Sequence, residues 1–140
     1  MLAETDENNN ILAGNQITIS YGADLVMTQI SCPETGTRGD NINVLSTAIN
    51  QGTNKTWTYP GIAIYLSTDP MITTSDICIG GRAIAYLNPG QTNSANLPFR
   101  IPSNIAPGTY YIGAIVDVAN IQPEDDEGNN SLNGNMIVVQ

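Results

Sequence analysis

The hydrophobic residues of this chain come in runs of six to eleven residues, each closed by Gly, Pro, Asn or Asp. Runs this short leave no room for a helix with a sustained 3.6-residue apolar stripe. What they allow is strand, turn, strand. Seven strands are expected, at 25–32, 41–49, 61–66, 77–87, 94–101, 109–118 and 132–139. In the third, Ile62, Ile64 and Leu66 share one face while Ala63 and Tyr65 share the other. The fourth contains Gly80-Gly81, where a bulge or a switch between sheets is expected. Seven short strands at this spacing predict an all-β chain, an immunoglobulin-like β-sandwich of antiparallel strands. Tyr110 follows Pro107-Gly108 where a tyrosine corner would sit. Its hydroxyl would then bond the preceding connection while Ile112, Ala114 and Val116 point inward; an ordinary core aromatic is the other reading.

The two ends of the chain repeat one another. Residues 4–17 read ETDENNNILAGNQI and residues 124–137 read EDDEGNNSLNGNMI, identical at nine of fourteen positions at an offset of 120. The identities include Glu4/Glu124, Glu7/Glu127, Asn9/Asn129, Asn10/Asn130, Gly14/Gly134 and Asn15/Asn135. The expected organisation is therefore the last strand of a preceding unit, or a linker, over 1–21, followed by one complete domain over 22–140. An array of modules fits this better than a free-standing enzyme.

Composition narrows function by exclusion. Thirteen Asp and Glu against four Lys and Arg give a net charge of −9, with no histidine anywhere. Without histidine, Ser-His and Cys-His catalytic pairs and His metal ligands are excluded. Four cations cannot neutralise a run of phosphates or an anionic membrane surface, so no nucleic acid and no membrane partner is expected. No apolar run reaches the ~18 residues of a membrane span, and the acidic N-terminus lacks the plan of a signal peptide. Seven of the thirteen carboxylates lie in 4–7 and 124–127, the two copies of one closing motif.

Further along the chain the motifs fall into a recognisable order. Ala23-Asp24-Leu25-Val26 opens the unit, and Asn50-Gln51-Gly52-Thr53 follows the second strand. Tyr65-Leu66-Ser67-Thr68-Asp69 leads to Ser75-Asp76 and Ile79-Gly80, then to Leu87-Asn88-Pro89-Gly90 and Pro107-Gly108-Thr109-Tyr110-Tyr111. Glu124 and Glu127-Gly128-Asn129-Asn130 close it. This series resembles the CARDB domain, the cell-adhesion-related domain found in bacteria, over about 23–140. The resemblance implies an immunoglobulin-like repeat of extracellular or cell-surface proteins, a spacer and protein-interaction module with no catalytic residues.

Several residues are candidates for more than structure. Asp69, Asp76, Asp117, Asn120, Glu124 and Asp126 are hard oxygen donors in loops, the chemistry calcium takes in sets of six to eight. Asp and Asn also pre-form turns by accepting nearby amides. The third and sixth strands are expected side by side and antiparallel, which puts Asp69 and Asp117 at opposite strand ends. A calcium-stabilised adhesive module is thus one alternative. The other is a carbohydrate-binding accessory domain of a secreted hydrolase, with Trp57 and Tyr59 beside Lys55 as the ligand platform. Glycoside hydrolysis itself needs two carboxyls across a cleft, which acidic hairpin tips do not provide. Cys32 and Cys78 could form a disulfide or remain two free thiols. Arg38-Gly39-Asp40 reads as a turn before a strand. Ile11, Leu12, Ile17 and Ile19 would supply a spare strand, suited to a neighbouring repeat or to a strand-exchanged homo-oligomer.

Overall fold

The computed structural model describes residues 12–17 and 22–140. Among these are eight strands and no helix: β1 (Leu25–Ser31), β2 (Thr35–Gly36), β3 (Asn41–Asn50), β4 (Gly61–Ser67), β5 (Ile77–Ala83), β6 (Thr92–Arg100), β7 (Gly108–Val116) and β8 (Ser131–Val139). They form a three-stranded sheet in the order β1-β3-β6 and a five-stranded sheet in the order β2-β8-β7-β4-β5. All pairings are antiparallel except β2 with β8. The seven expected strands are present, and the sandwich is confirmed. β2 is the addition: two polar-to-small residues carry no apolar signal.

Alternation explains the inner faces. Along β3, Ile42, Val44, Ser46 and Ala48 are buried while Asn41 and Asn43 are exposed. β4 is buried on both faces. Ile62, Ile64 and Leu66 enter the main core. Ala63 and Tyr65, on the outer face, are covered by Ile72 from the following connection, with Ile115 beside them. Gly113 makes that cover fit, because a Cβ there would lie 2.3 Å from the Ile72 side chain. The tyrosine corner forms: the Tyr110 hydroxyl donates to the Ala106 carbonyl at 2.6 Å, and Ile112, Ala114 and Val116 are wholly buried.

At Gly80-Gly81 the strand does not change sheets. β5 stays paired with β4 through a register shift opposite Ile64 and Tyr65, and ends at Ala83. Residues 84–87 leave the ladder, burying Ile84 and Leu87. From this edge Arg82 crosses to the other sheet, donating to Ser46 Oγ at 2.8 Å and to Asn93 Oδ1 at 2.6 Å. On the opposite side the chain itself crosses between sheets after β1. There Asn135 of β8 accepts from Cys32 N–H and donates to Cys32 C=O, both at 3.0 Å. Gly134 allows this approach, since a Cβ would sit 2.2 Å from the Ile30 carbonyl oxygen.

The disulfide reading is corrected: Cys32 and Cys78 are free thiols. Cys32 follows β1, whose sheet-facing neighbours are β7 and β8, whereas Cys78 lies on β5 at the far edge of the five-stranded sheet. Arg38-Gly39-Asp40 is the turn into β3, with Gly39 at φ +85° and Asp40 N–H donating to Thr37 C=O. Of the spare-strand residues, Ile11 and Ile19 lie outside the described residues. Leu12 and Ile17 lie in 12–17, which has no strand, and are 94% and 80% exposed.

The antiparallel order gives the sandwich two distinct ends. The connections 51–60, 84–91 and 117–130 gather at the end where β1 begins, the entry end. The connections 32–40, 68–76 and 101–107 gather where β8 finishes, the exit end.

Candidate functional site

The entry end is organised by buried polar side chains. Asn50, fully buried, uses all four of its hydrogen-bonding positions. Its Nδ2 donates to the Asn54 and Leu87 carbonyls at 2.7 and 3.0 Å, and its Oδ1 accepts from the Asp24 and Gly52 amides at 3.1 and 3.0 Å. It ties β1, the 51–60 connection and the 84–91 connection to one point. Gln122, also fully buried, accepts on Oε1 from Trp57 N–H, Thr58 N–H and Thr58 Oγ1.

Beside this framework lies an acidic centre. Asp117 and Glu124 are 3% and 4% exposed. One carboxylate oxygen from each of Asp117, Glu124 and Glu127 lies within 4.8 Å of the others. That separation suits one ion held at about 2.4 Å from each oxygen, the usual calcium–oxygen distance. β7 ends at Val116, and Asp117 turns the chain in the left-handed region at φ +52°. Its two oxygens accept from the Ile121 and Gln122 amides at 3.1 and 3.0 Å. Glu124 reaches back to β1, accepting from Leu25 N–H, while Glu127 accepts from Glu124 N–H at 2.9 Å.

Burial pushes the Glu124 carboxyl up to about 7, with the neighbouring Glu127 and Asp117 charges adding to the rise. The Leu25 and Asn130 donors pull it back only in part. Burial raises Asp117 as well, opposed by the Gln122 and Ile121 amides. The four cations of the chain are engaged elsewhere. Arg38 donates to Ile105 C=O, Arg82 holds Ser46 and Asn93, Lys55 sits over Tyr86, and Arg100 lies beside Gly39.

Two further oxygens are short of donors. Asn129 Oδ1 and Asn130 Oδ1 are buried with no hydrogen-bond partner. Their amide nitrogens are occupied, Asn129 Nδ2 by Asp24 Oδ1 at 2.8 Å and Asn130 Nδ2 by Glu124 Oε1 at 3.2 Å. A buried acceptor without a donor costs about 1–3 kcal/mol. A cation among the three carboxylates would relieve the repulsion within the triad. Three carboxylates are hard oxygen donors, a set that fits calcium rather than a thiolate- or imidazole-seeking metal.

Of the six metal candidates read from the sequence, the structure brings together Asp117 and Glu124. Asp69 and Asp76 lie at the exit end as turn residues, accepting from the Met71 and Thr73 amides at 2.8 and 2.7 Å. Asn120 stands in the turn after β7 at φ +54°, its N–H donating to Asp117 C=O. Asp126 accepts from Gly128 N–H two residues on. Glu127, which with Asn129 belongs to the same acidic connection in the sequence, completes the triad; Asn130 carried no expectation, and all three recur as Glu7, Asn9 and Asn10. Trp57 and Tyr59 are 52% and 60% exposed. They do not stack on each other: Tyr59 lies on Tyr86, with ring centroids 4.1 Å apart. Lys55, Thr56, Trp57 and Tyr86 line a shallow cavity of about 230 Å³.

With this geometry in view, the likeness to known proteins is specific. The structure is similar to the CARDB domain of the PF1109 protein from Pyrococcus furiosus, solved in complex with di-metal ions. That match has a TM-score of 0.62 and 18% identity, over 87% of this chain and 97% of that one. It is also similar to a domain of a protein described as a cell-surface protein from Methanosarcina acetivorans, with a TM-score of 0.58 and 21% identity over 84% and 92% of the two chains. Beta-glucosidase 3B from Thermotoga neapolitana matches at a TM-score of 0.52 and 13% identity. There 83% of this chain corresponds to 16% of the enzyme, a likeness of fold in one small part of it. No curated protein sequence matches the chain. The CARDB family model spans residues 22–134. The ordered loop motifs, the two-sheet topology and that match together place the chain in the CARDB family.

Proposed function

We propose that this chain is a non-catalytic spacer and interaction module of a cell-surface or secreted protein, stiffened by a calcium ion in its acidic loop. The observation that carries the cation is the buried Asp117–Glu124–Glu127 triad together with the unpartnered Asn129 and Asn130 oxygens. The relative from Pyrococcus furiosus, solved with di-metal ions, and the one described as a cell-surface protein support the same reading. The ion's role is structural. It would join β7, through Asp117, to the loop that grips β1 through Glu124, so that the entry end becomes one rigid piece.

The test is calcium titration of the metal-free chain, followed by calorimetry and by thermal unfolding. A ligand that binds only the native state adds about 2.7 kcal/mol at one hundred times its dissociation constant. A one- or two-site isotherm with a rise in melting temperature is expected, both lost in Glu127→Gln. An unchanged melting temperature at millimolar calcium would remove the cation from the proposal.

A further inference from the structure

Two facts fix how close a preceding unit would sit. The first is in the sequence. At the offset of 120 that aligns the closing motifs, Ser20 corresponds to Gln140. Gln140 is still tied into its domain, its N–H donating to Gly36 C=O at 2.9 Å and its C=O accepting from Arg38 N–H at 3.0 Å. The second is structural. Gly22 is already bound into the entry end, its C=O accepting from Thr53 N–H and Asn54 N–H and its N–H donating to Asp125 Oδ1. One residue, Tyr21, therefore separates two successive units. Two extended residue steps span about 7 Å, less than the width of one strand pair with its side chains. The exit end of one unit and the entry end of the next must touch.

Both of the surfaces so apposed carry exposed apolar side chains. The entry end presents half-exposed Trp57 and Tyr59, with exposed Ile121 beside Gln122, next to the acidic loop. Arg38, whose N–H donates to Gln140 C=O, and Arg100, beside Gly39, lie at the exit end, where Met71 is 73% exposed. Glu34, Asp40, Asp69 and Asp76 also lie at this end, the latter two with carboxylates turned onto their own loop, so apolar contact has to outweigh like charge at the joint. The cation centre and the aromatic patch share one support. Asp117 holds the Gln122 amide, and the Gln122 side chain holds the backbone of Trp57 and Thr58.

We infer that the entry end is the docking face for the exit end of a preceding unit of the same kind, with Trp57 and Tyr59 packed at the joint. Successive units are then held at one fixed angle. This rests on the reading of the chain as a spacer array, and it adds that the array is jointed rigidly.

The full chain extended by a second copy of residues 21–140 tests it, with Trp57→Phe in the first unit so that the second unit's Trp57 is the sole tryptophan. Expected are a blue-shifted emission, weaker acrylamide quenching than in the 140-residue chain, and one shared alignment of both units in residual dipolar couplings. Inserting ten Gly/Ser residues before Tyr21 should abolish the shared alignment and restore quenching. Arg38→Glu with Arg100→Glu in the first unit should weaken the joint without touching Trp57. Independent alignment of the directly joined units, or Trp57 as quenchable as in the single chain, overturns the inference and leaves a flexible spacer. Units folded back side by side, seen as a short maximum dimension in X-ray scattering, would instead overturn the spacer reading.

Discussion

Replacing Glu124 by Gln isolates the energetic consequence of burying a carboxylate at this position. The metal-free protein holds that carboxyl at about 7 against an ordinary value of 4.5. At about 1.4 kcal/mol per pH unit, ionising it in the folded state costs about 3 kcal/mol. The sign follows from linkage. A carboxyl whose folded value is raised binds its proton more tightly folded than unfolded. Its contribution is fully present below pH 4.5 and is lost as pH rises through 7. Gln cannot ionise and keeps an oxygen for Leu25 N–H. Asn130, by turning its amide, can offer its unpartnered oxygen to the new NH₂ group. Urea unfolding in a chelator should therefore give equal stabilities for the two proteins near pH 4.5. At pH 8 the Gln variant should be more stable by about 3 kcal/mol. With calcium the order should reverse, because the wild type alone keeps the charged ligand. The difference between the two proteins is the quantity to follow, since the remaining acids titrate in both. A difference that does not change from pH 4.5 to 8 would refute the reasoning.

Other perturbations follow from the same geometry. Asn50→Ala removes four hydrogen bonds from one buried point and should cost about 3–4 kcal/mol in urea unfolding, at roughly 1 kcal/mol each. Gly134→Ala drives a methyl group into the Ile30 carbonyl and should destabilise by about 1–3 kcal/mol, whereas Gly90→Ala, with open space around it, should be limited to the strain of its φ of +77°. The thiols should differ in rate: exposed Cys78 reacts with a maleimide in the native state, while Cys32, pushed up to about 11 by burial, reacts slowly until the protein unfolds.

The strands were legible because their signal is local: alternation in β3 and β7 and the turn residues around them mark both position and face. β2 was invisible because Thr35 and Gly36 join β8 through backbone alone. The acidic centre was half legible for a physical reason. Asp69, Asp76 and Asp117 look alike in sequence, each a carboxylate at the border of an apolar run, and each accepts nearby amides in the fold. What separates Asp117 is burial against a loop seven to ten residues further on, a property of how the entry end closes. The better signal was recurrence: Glu124, Glu127, Asn129 and Asn130 all reappear in 4–10. Recurrence also marked Gly134 and Asn135, whose role is to bring β8 against β1.

The short parallel pair of β2 and β8 has a mechanical consequence. The domain enters at one end of the sandwich and leaves at the other, so in the proposed array tension would pull Gly22 and Gln140 apart along the strands. β2 and β8 run in the same direction, and their bonds, Val138 N–H to Glu34 C=O and Gln140 N–H to Gly36 C=O among them, lie across the line of pull. Such bonds are loaded together in shear instead of opening one at a time like a zipper. In such an array a strand of only two residues would thereby be the domain's clasp against force.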